Sequence, residues 1–169
     1  HTRYADRSRG LGDVYKRQTL TLEECAKPAE KESKAPEELP NYGLRGLVAE
    51  DNKFNQVVVQ NMLERIGIRV DIAQNGAEAL ELLDTNEYDL IFMDVRMPVM
   101  NGYEATETIR ARRDALADIP ILALTAEATK SDVRKCLDAG MDVHLSKPLR
   151  ISDVVEALDS LEKLSLPAG

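Results

Sequence analysis

L-I-F-M-D, Leu90 to Asp94, decides the fold. Four consecutive apolar residues with no polar alternate suit a strand buried on both faces, and such strands belong to parallel sheets with helices above and below. Outward from it, the chain from Leu44 onward switches repeatedly between short apolar runs and stretches of 3.6-residue period, which is a βα alternation. Leu44 to Ala49 reads as the first strand. Asn52 then caps a helix whose Phe54, Val57, Val58, Met62 and Ile66 share one stripe, and Gly67 stops it. Ile68 to Ala73 is a strand, and Gly76 to Leu83 a helix with Leu80 and Leu83 inward. Downstream come a loop, a helix over Gly102 to Arg113, a strand over Ile119 to Leu124 and a helix over Thr129 to Ala139. A strand over Met141 to Leu145 and a helix over Ile151 to Leu164 close a series of five strands and five helices. Short connections then demand a mostly parallel, doubly wound α/β sheet with right-handed crossovers.

The 169 residues leave room for one domain with a tail. A net charge of -8 argues against unassisted binding to nucleic acid or to an anionic membrane and favours acidic clefts that take divalent cations. No run approaches the roughly 18 apolar residues of a membrane helix, and no secretion signal opens the chain. Cys25 and Cys136 are too few for a disulfide framework or a four-ligand zinc site, and suit a reducing, cytoplasmic setting.

Charge also locates a boundary. Residues 1–43 hold 8 basic and 8 acidic residues, so the whole excess of acid, 22 against 14, belongs to residues 44–169. Glu30 to Pro40 is charged, broken by proline and short of apolar residues, which reads as a linker. Residues 1–18 lack helical or strand period; they read as non-native, adapter-like sequence or as a basic tail, and the chain as a fragment. T-L-T-L, Thr19 to Leu22, alternates like a strand and then gives way to the linker. The expected layout is a tail at 1–18, the end of an upstream domain plus linker at 19–43, the folded domain at 44–164, and a short tail at 165–169.

In doubly wound sheets, chemistry sits at the carboxyl ends of the strands. Here the first strand ends in Glu50-Asp51, the third in Asp94 and the fourth in Thr125, while Lys147-Pro148 follows the fifth. Carboxylates crowded together repel unless a cation neutralises them, which predicts a hard, oxygen-liganded ion such as Mg2+. Lys147 supplies a compact charge for a phosphoryl oxygen, Thr125 a hydroxyl, and Ala126 a backbone amide. A carboxylate nucleophile with these neighbours makes a phosphoryl-accepting site.

V-A-E-D-N (Val48 to Asn52), F-M-D-V-R-M-P-V-M-N-G-Y-E-A-T (Phe92 to Thr106), L-T-A (Leu124 to Ala126) and A-G-M-D-V-H-L-S-K-P-L (Ala139 to Leu149) resemble the response-regulator receiver domain of two-component signalling. The resemblance covers about Leu44 to Leu164. It implies a flavodoxin-like (βα)5 fold with strand order 2-1-3-4-5. It further implies that Asp94 accepts a phosphoryl group from a phosphohistidine, that Asp51 binds Mg2+ directly and Glu50 through water, and that the backbone carbonyl of Arg96 is another ligand. Lys147 and the amide of Ala126 would contact the phosphoryl group, and Thr125 with His144 would form the switch. The family usually has Tyr or Phe where His144 stands, so steric switching or packing competes there with a pH-sensing role. Arg96 would tune the lifetime of the acyl phosphate, whose hydrolysis would be slow; Glu127 would act on the same access or simply start a helix.

The implied partners are a histidine kinase dimerisation domain or a histidine phosphotransfer protein, with no direct nucleic-acid contact, no membrane insertion by this segment, and a homodimer allowed. A linker followed by a receiver suits the carboxyl end of a hybrid sensor histidine kinase. Three other functions compete. A haloacid-dehalogenase-type phosphohydrolase needs an acid two residues after its nucleophile, where Arg96 stands. A flavin or nucleotide binder lacks its glycine signatures here. A phospho-independent pseudo-receiver would not need the full acid, hydroxyl and lysine set.

Overall fold

The computed structural model describes residues 38–165. The expectations for residues 1–37 and 166–169, including the Thr19–Leu22 strand, lie outside the described residues. Among the described residues, five strands and five α-helices alternate: β1 Arg45–Ala49, α1 Lys53–Glu64, β2 Arg69–Ala73, α2 Gly76–Thr85, β3 Leu90–Asp94, α3 Gly102–Arg110, β4 Ile121–Thr125, α4 Lys130–Ala139, β5 Val143–Ser146 and α5 Ile151–Ser165. All pairings are parallel, in the order β2-β1-β3-β4-β5. The expected α/β sheet is therefore the observed one.

Two apolar layers sandwich the sheet, and β3 feeds both. Ile91 and Met93 pack with Ala79, Leu83, Ala105, Ile109 and Cys136 from α2, α3 and α4. Leu90 and Phe92 pack with Val59, Leu63, Val154 and Leu158 from α1 and α5. Strand side chains alternate between faces, so an unbroken apolar run is what a central strand with two covered faces requires.

Helix α1 departs from the expected stripe. Of that stripe Ile66 is buried and Met62 half-buried as expected, whereas Phe54, Val57 and Val58 stand 75%, 57% and 40% exposed, and Val59 and Leu63 complete the buried face instead. An apolar stripe at 54, 57 and 58 and another at 59, 63 and 66 both satisfy helical spacing, and periodicity cannot say which of two adjoining faces meets the sheet. Asn52 does cap the helix, accepting from the amides of Phe54 and Asn55. Gly67, at φ 74°, ends it as expected.

Other boundaries move as well, among them the start of β5, which is Val143 rather than Met141, and the end of α2, which is Thr85 rather than Leu83. Helix α3 ends at Arg110 rather than Arg113, because Asp114 caps a separate 3-10 turn, Ala115–Asp118, by accepting from the amide of Leu116. Strand β4 begins at Ile121, after Pro120, which has no amide to donate. Arg110 then fastens this region to the start of β5: its guanidinium reaches the carbonyls of Gly140 (2.8 Å), Ala117 and Ile119 (both 2.7 Å) and the carboxylate of Asp142 (2.8 Å). At the amino-terminal side, Asn41 to Gly43 adjoin the domain rather than running free of it: the Tyr42 amide donates to Ile66 O and its hydroxyl to Asp159 Oδ1.

Candidate functional site

The parallel topology brings the carboxyl ends of β1, β3, β4 and β5 to one rim, and the residues singled out there in the sequence do converge. Glu50, directly after β1, is 1% exposed, and Asp94, which ends β3, is 5% exposed. Lys147, one residue past β5, places Nζ 2.6 Å from Glu50 Oε2 and 2.9 Å from Asp94 Oδ2. Asp51 is exposed at the mouth, and oxygens of Glu50, Asp51 and Asp94 lie within 4.8 Å of one another. Three carboxylates at that spacing offer hard oxygen ligands only, which fits Mg2+ or a similar ion. Asp94 Oδ1 accepts from the Arg96 amide at 3.2 Å.

The electrostatics follow from burial. Desolvation pushes the Asp94 carboxyl above its ordinary range, while the hydrogen bond and charge of Lys147 pull it part of the way back. Burial alone would lower the Lys147 ammonium; its hydrogen bonds to Glu50 and Asp94, and their charges, more than offset that and hold it above its usual value. Asp94 is thus a partly desolvated carboxylate whose charge is kept by one lysine.

Thr125 ends β4 and Lys147 N donates to its carbonyl at 2.7 Å. Thr125 Oγ1 and His144 Nε2 are both buried without a hydrogen-bond partner among the described residues. The register pairs Ala123 with His144 and Thr125 with Ser146, so Thr125 and His144 lie on the same face of neighbouring strands. Unpaired buried polar atoms are costly in a fixed structure and are natural at positions that change partners. Ala126, Arg96 and Glu127 all line an open cleft of about 580 Å3 above Asp94, joined by Tyr103, Asp132 and Lys135 from α3 and α4.

Besides Tyr103, Asp132 and Lys135 of the cleft, two residues that hold Glu50 escaped the sequence reading. Asn55 Nδ2 donates to Glu50 Oε1 at 3.2 Å, beside the Asn52 amide at the same distance, and Gln56 Nε2 donates to the Glu50 carbonyl at 2.6 Å. Both amides sit in the first turn of α1, where polar residues are common, and only the turn of the chain after β1 aims them back at Glu50.

Gly102 opens α3 against the backbone of Asp94. A Cβ there would overlap the Asp94 carbonyl oxygen and stand 3.0 Å from Met93 Cγ. Gly102→Ala therefore has to push α3 off the end of β3. The expected cost is about 1–3 kcal/mol, read as a lower urea midpoint, with slower phosphoryl uptake at Asp94; unchanged values for both would show that α3 gives way freely.

Comparison with known proteins adds the lineage. The family described as "Response regulator receiver domain" matches residues 47–159. Hybrid signal transduction histidine kinase K of Dictyostelium discoideum is 38% identical over 126 residues, which is 71% of this chain and 10% of that protein, so the chain spans a small part of such relatives. The receiver domain of a sensor histidine kinase from Pseudomonas aeruginosa PAO1, solved with a magnesium ion coordinated in its active-site cleft, is 40% identical with a TM-score of 0.64, over 70% of this chain and 96% of that one. A co-crystal structure of the Saccharomyces cerevisiae histidine phosphotransfer protein Ypd1 with the receiver domain of the response regulator Ssk1 gives 30% identity and a TM-score of 0.66, over 77% and 95% of the two chains. With its five parallel strands, its rim of acids and lysine, and a family match over most of its length, this chain belongs to the response regulator receiver domains.

Proposed function

We propose that the domain accepts a phosphoryl group at Asp94 from a phosphohistidine and passes the change to a partner, within a hybrid histidine kinase phosphorelay. The observation that carries this is Lys147, held between Glu50 and Asp94 at the mouth of an open cleft. In the transfer, an Asp94 oxygen attacks phosphorus in line, the P–N bond breaks, its electron pair returns to the donor imidazole, and an acyl phosphate forms. Lys147 stabilises the charge on the phosphoryl oxygens, and the Ala126 amide adds a donor. Mg2+ held by Glu50, Asp51, Asp94 and the Arg96 carbonyl would neutralise the crowded negative charge. Both Glu50 oxygens are already committed to donors, which suits an indirect role for Glu50 and a direct one for exposed Asp51.

Thr125 then gives its unused hydroxyl to the phosphoryl group and leaves space for His144, altering the face built from α4, β5 and α5. Water attack on phosphorus restores the Asp94 carboxylate and releases phosphate, with Arg96 and Glu127 lining the route. A reducing, cytoplasmic setting belongs to the same proposal.

The phosphohistidine donor is a histidine kinase dimerisation domain or a histidine phosphotransfer protein, and α1 offers a place for it. The helix starts beside the acid cluster and leaves Phe54, Val57 and Val58 exposed in a row at helical spacing. Contiguous exposed apolar side chains of this kind mark interaction surfaces. Phe54→Asp is expected to slow transfer from a phosphorylated histidine donor about tenfold or more, while labelling by acetyl phosphate stays within about twofold. The function is tested by that pair of donors with Mg2+ and intact-mass detection. Equal slowing with both donors would remove α1 as the docking site, and no adduct from either would remove the phosphoacceptor reading.

A further inference from the structure

We infer that Asn55 is a positioning residue that sets the cation affinity of the site through Glu50; the inference rests on the phosphoacceptor reading above. Glu50 Oε1 is reached by two donors, the Asn52 amide and Asn55 Nδ2, each at 3.2 Å, while Oε2 faces Lys147 at 2.6 Å. The carboxylate is thereby held in one rotamer although it is 1% exposed and has no bulk water to replace a lost donor. Gln56 supports the same arrangement from the other end, fixing the Glu50 carbonyl at 2.6 Å.

The consequence is geometric. Without the Asn55 amide, Glu50 Oε1 keeps only the Asn52 backbone amide, so the carboxylate is held less firmly and the oxygens of Glu50, Asp51 and Asp94 keep less strictly to the separation a small cation needs. Asn55 also donates its backbone amide to Asn52 Oδ1 at 3.3 Å, so the residue that orients Glu50 is part of the cap that starts α1. The helix that carries the exposed Phe54, Val57 and Val58 thus also grips the acid cluster. A purely structural cap would make a different prediction: lower stability with unchanged cation binding.

The test uses the 169-residue chain with Asn55→Ala, Asn55→Leu, which keeps volume without a donor, and Asn55→Gln, which restores one. Mg2+ binding is measured by calorimetry, thermal midpoint without added metal is measured in parallel, and acetyl phosphate labelling is followed as a function of Mg2+. Ala and Leu are expected to weaken Mg2+ about three- to tenfold, with Gln recovering part of the loss. Labelling by acetyl phosphate should need correspondingly more Mg2+ to reach half of its maximum. Wild-type Mg2+ affinity in both the Ala and the Leu variant would overturn the inference, as would an unfolded Ala variant beside a folded Leu variant that binds normally. A wild-type chain that binds no Mg2+ and gains no phosphoryl group would instead overturn the functional reading itself, and this inference with it.

Discussion

Asp94→Asn is expected to fold and to gain no phosphoryl group from acetyl phosphate or from a phosphohistidine donor, whatever the Mg2+ concentration. The carboxamide keeps the size of the side chain but has no anionic oxygen to attack phosphorus, so the loss is complete rather than graded. Stability should hold or rise. Burial already pushes the Asp94 carboxyl upward, which means the folded protein carries an ionised group it would rather have neutral. Lys147 keeps a counter-charge in Glu50, at 2.6 Å. Intact mass and thermal midpoint measured together separate the two effects. A surviving adduct in this variant would move the nucleophile to Glu50 or Asp51.

Lys147→Met should damage both chemistry and stability, and the second effect should depend on pH. Removing one preorganised donor to a developing charge slows transfer by about 100- to 1000-fold. Structurally, the variant leaves Glu50 and Asp94, 1% and 5% exposed, with their shared cation gone. Breaking a buried ion pair from one side costs about 3–5 kcal/mol, and less here because Lys147 is itself 21% exposed. Asp94 already binds its proton more tightly in the folded chain than its ordinary value of 3.8, and loss of the lysine raises it further. A folded state that holds more protons than the unfolded one gains stability as pH falls and loses it as pH rises through the folded value. The variant should therefore recover part of its deficit between neutral pH and pH 4, measured by urea midpoints across that window. A deficit that stays constant or widens on acidification would show that the lost contacts are packing and not charge.

Much of this was legible along the chain because the code is local. The apolar run of β3, the Asn52 cap and the Gly67 stop each act on neighbours within a few residues, and the alternation of periods then leaves few topologies open. The residues of the site were legible for the same reason: a doubly wound sheet places every strand's carboxyl end on one rim, so Glu50, Asp51, Asp94, Thr125 and Lys147 could be collected before any distance was known. The inward face of α1 was not legible, since two adjoining apolar stripes meet the same spacing rule. Nor was the end of α3, where the side chain of Asp114 competes with the helix for the backbone.

The sequence by itself determined the parallel α/β sheet and the acid, hydroxyl and lysine set at its strand ends, because these follow from patterns that repeat every few residues, while the strand order and the family came through the resemblance of its motifs to receiver domains. Only the tertiary structure decided which face of α1 is left exposed, that Asn55 and Gln56 adjoin Glu50, and that Thr125 and His144 share a face with buried polar atoms unpaired among the described residues. Those facts depend on burial and on contacts between elements far apart in the chain, and burial is a property of the packed molecule rather than of any segment of it.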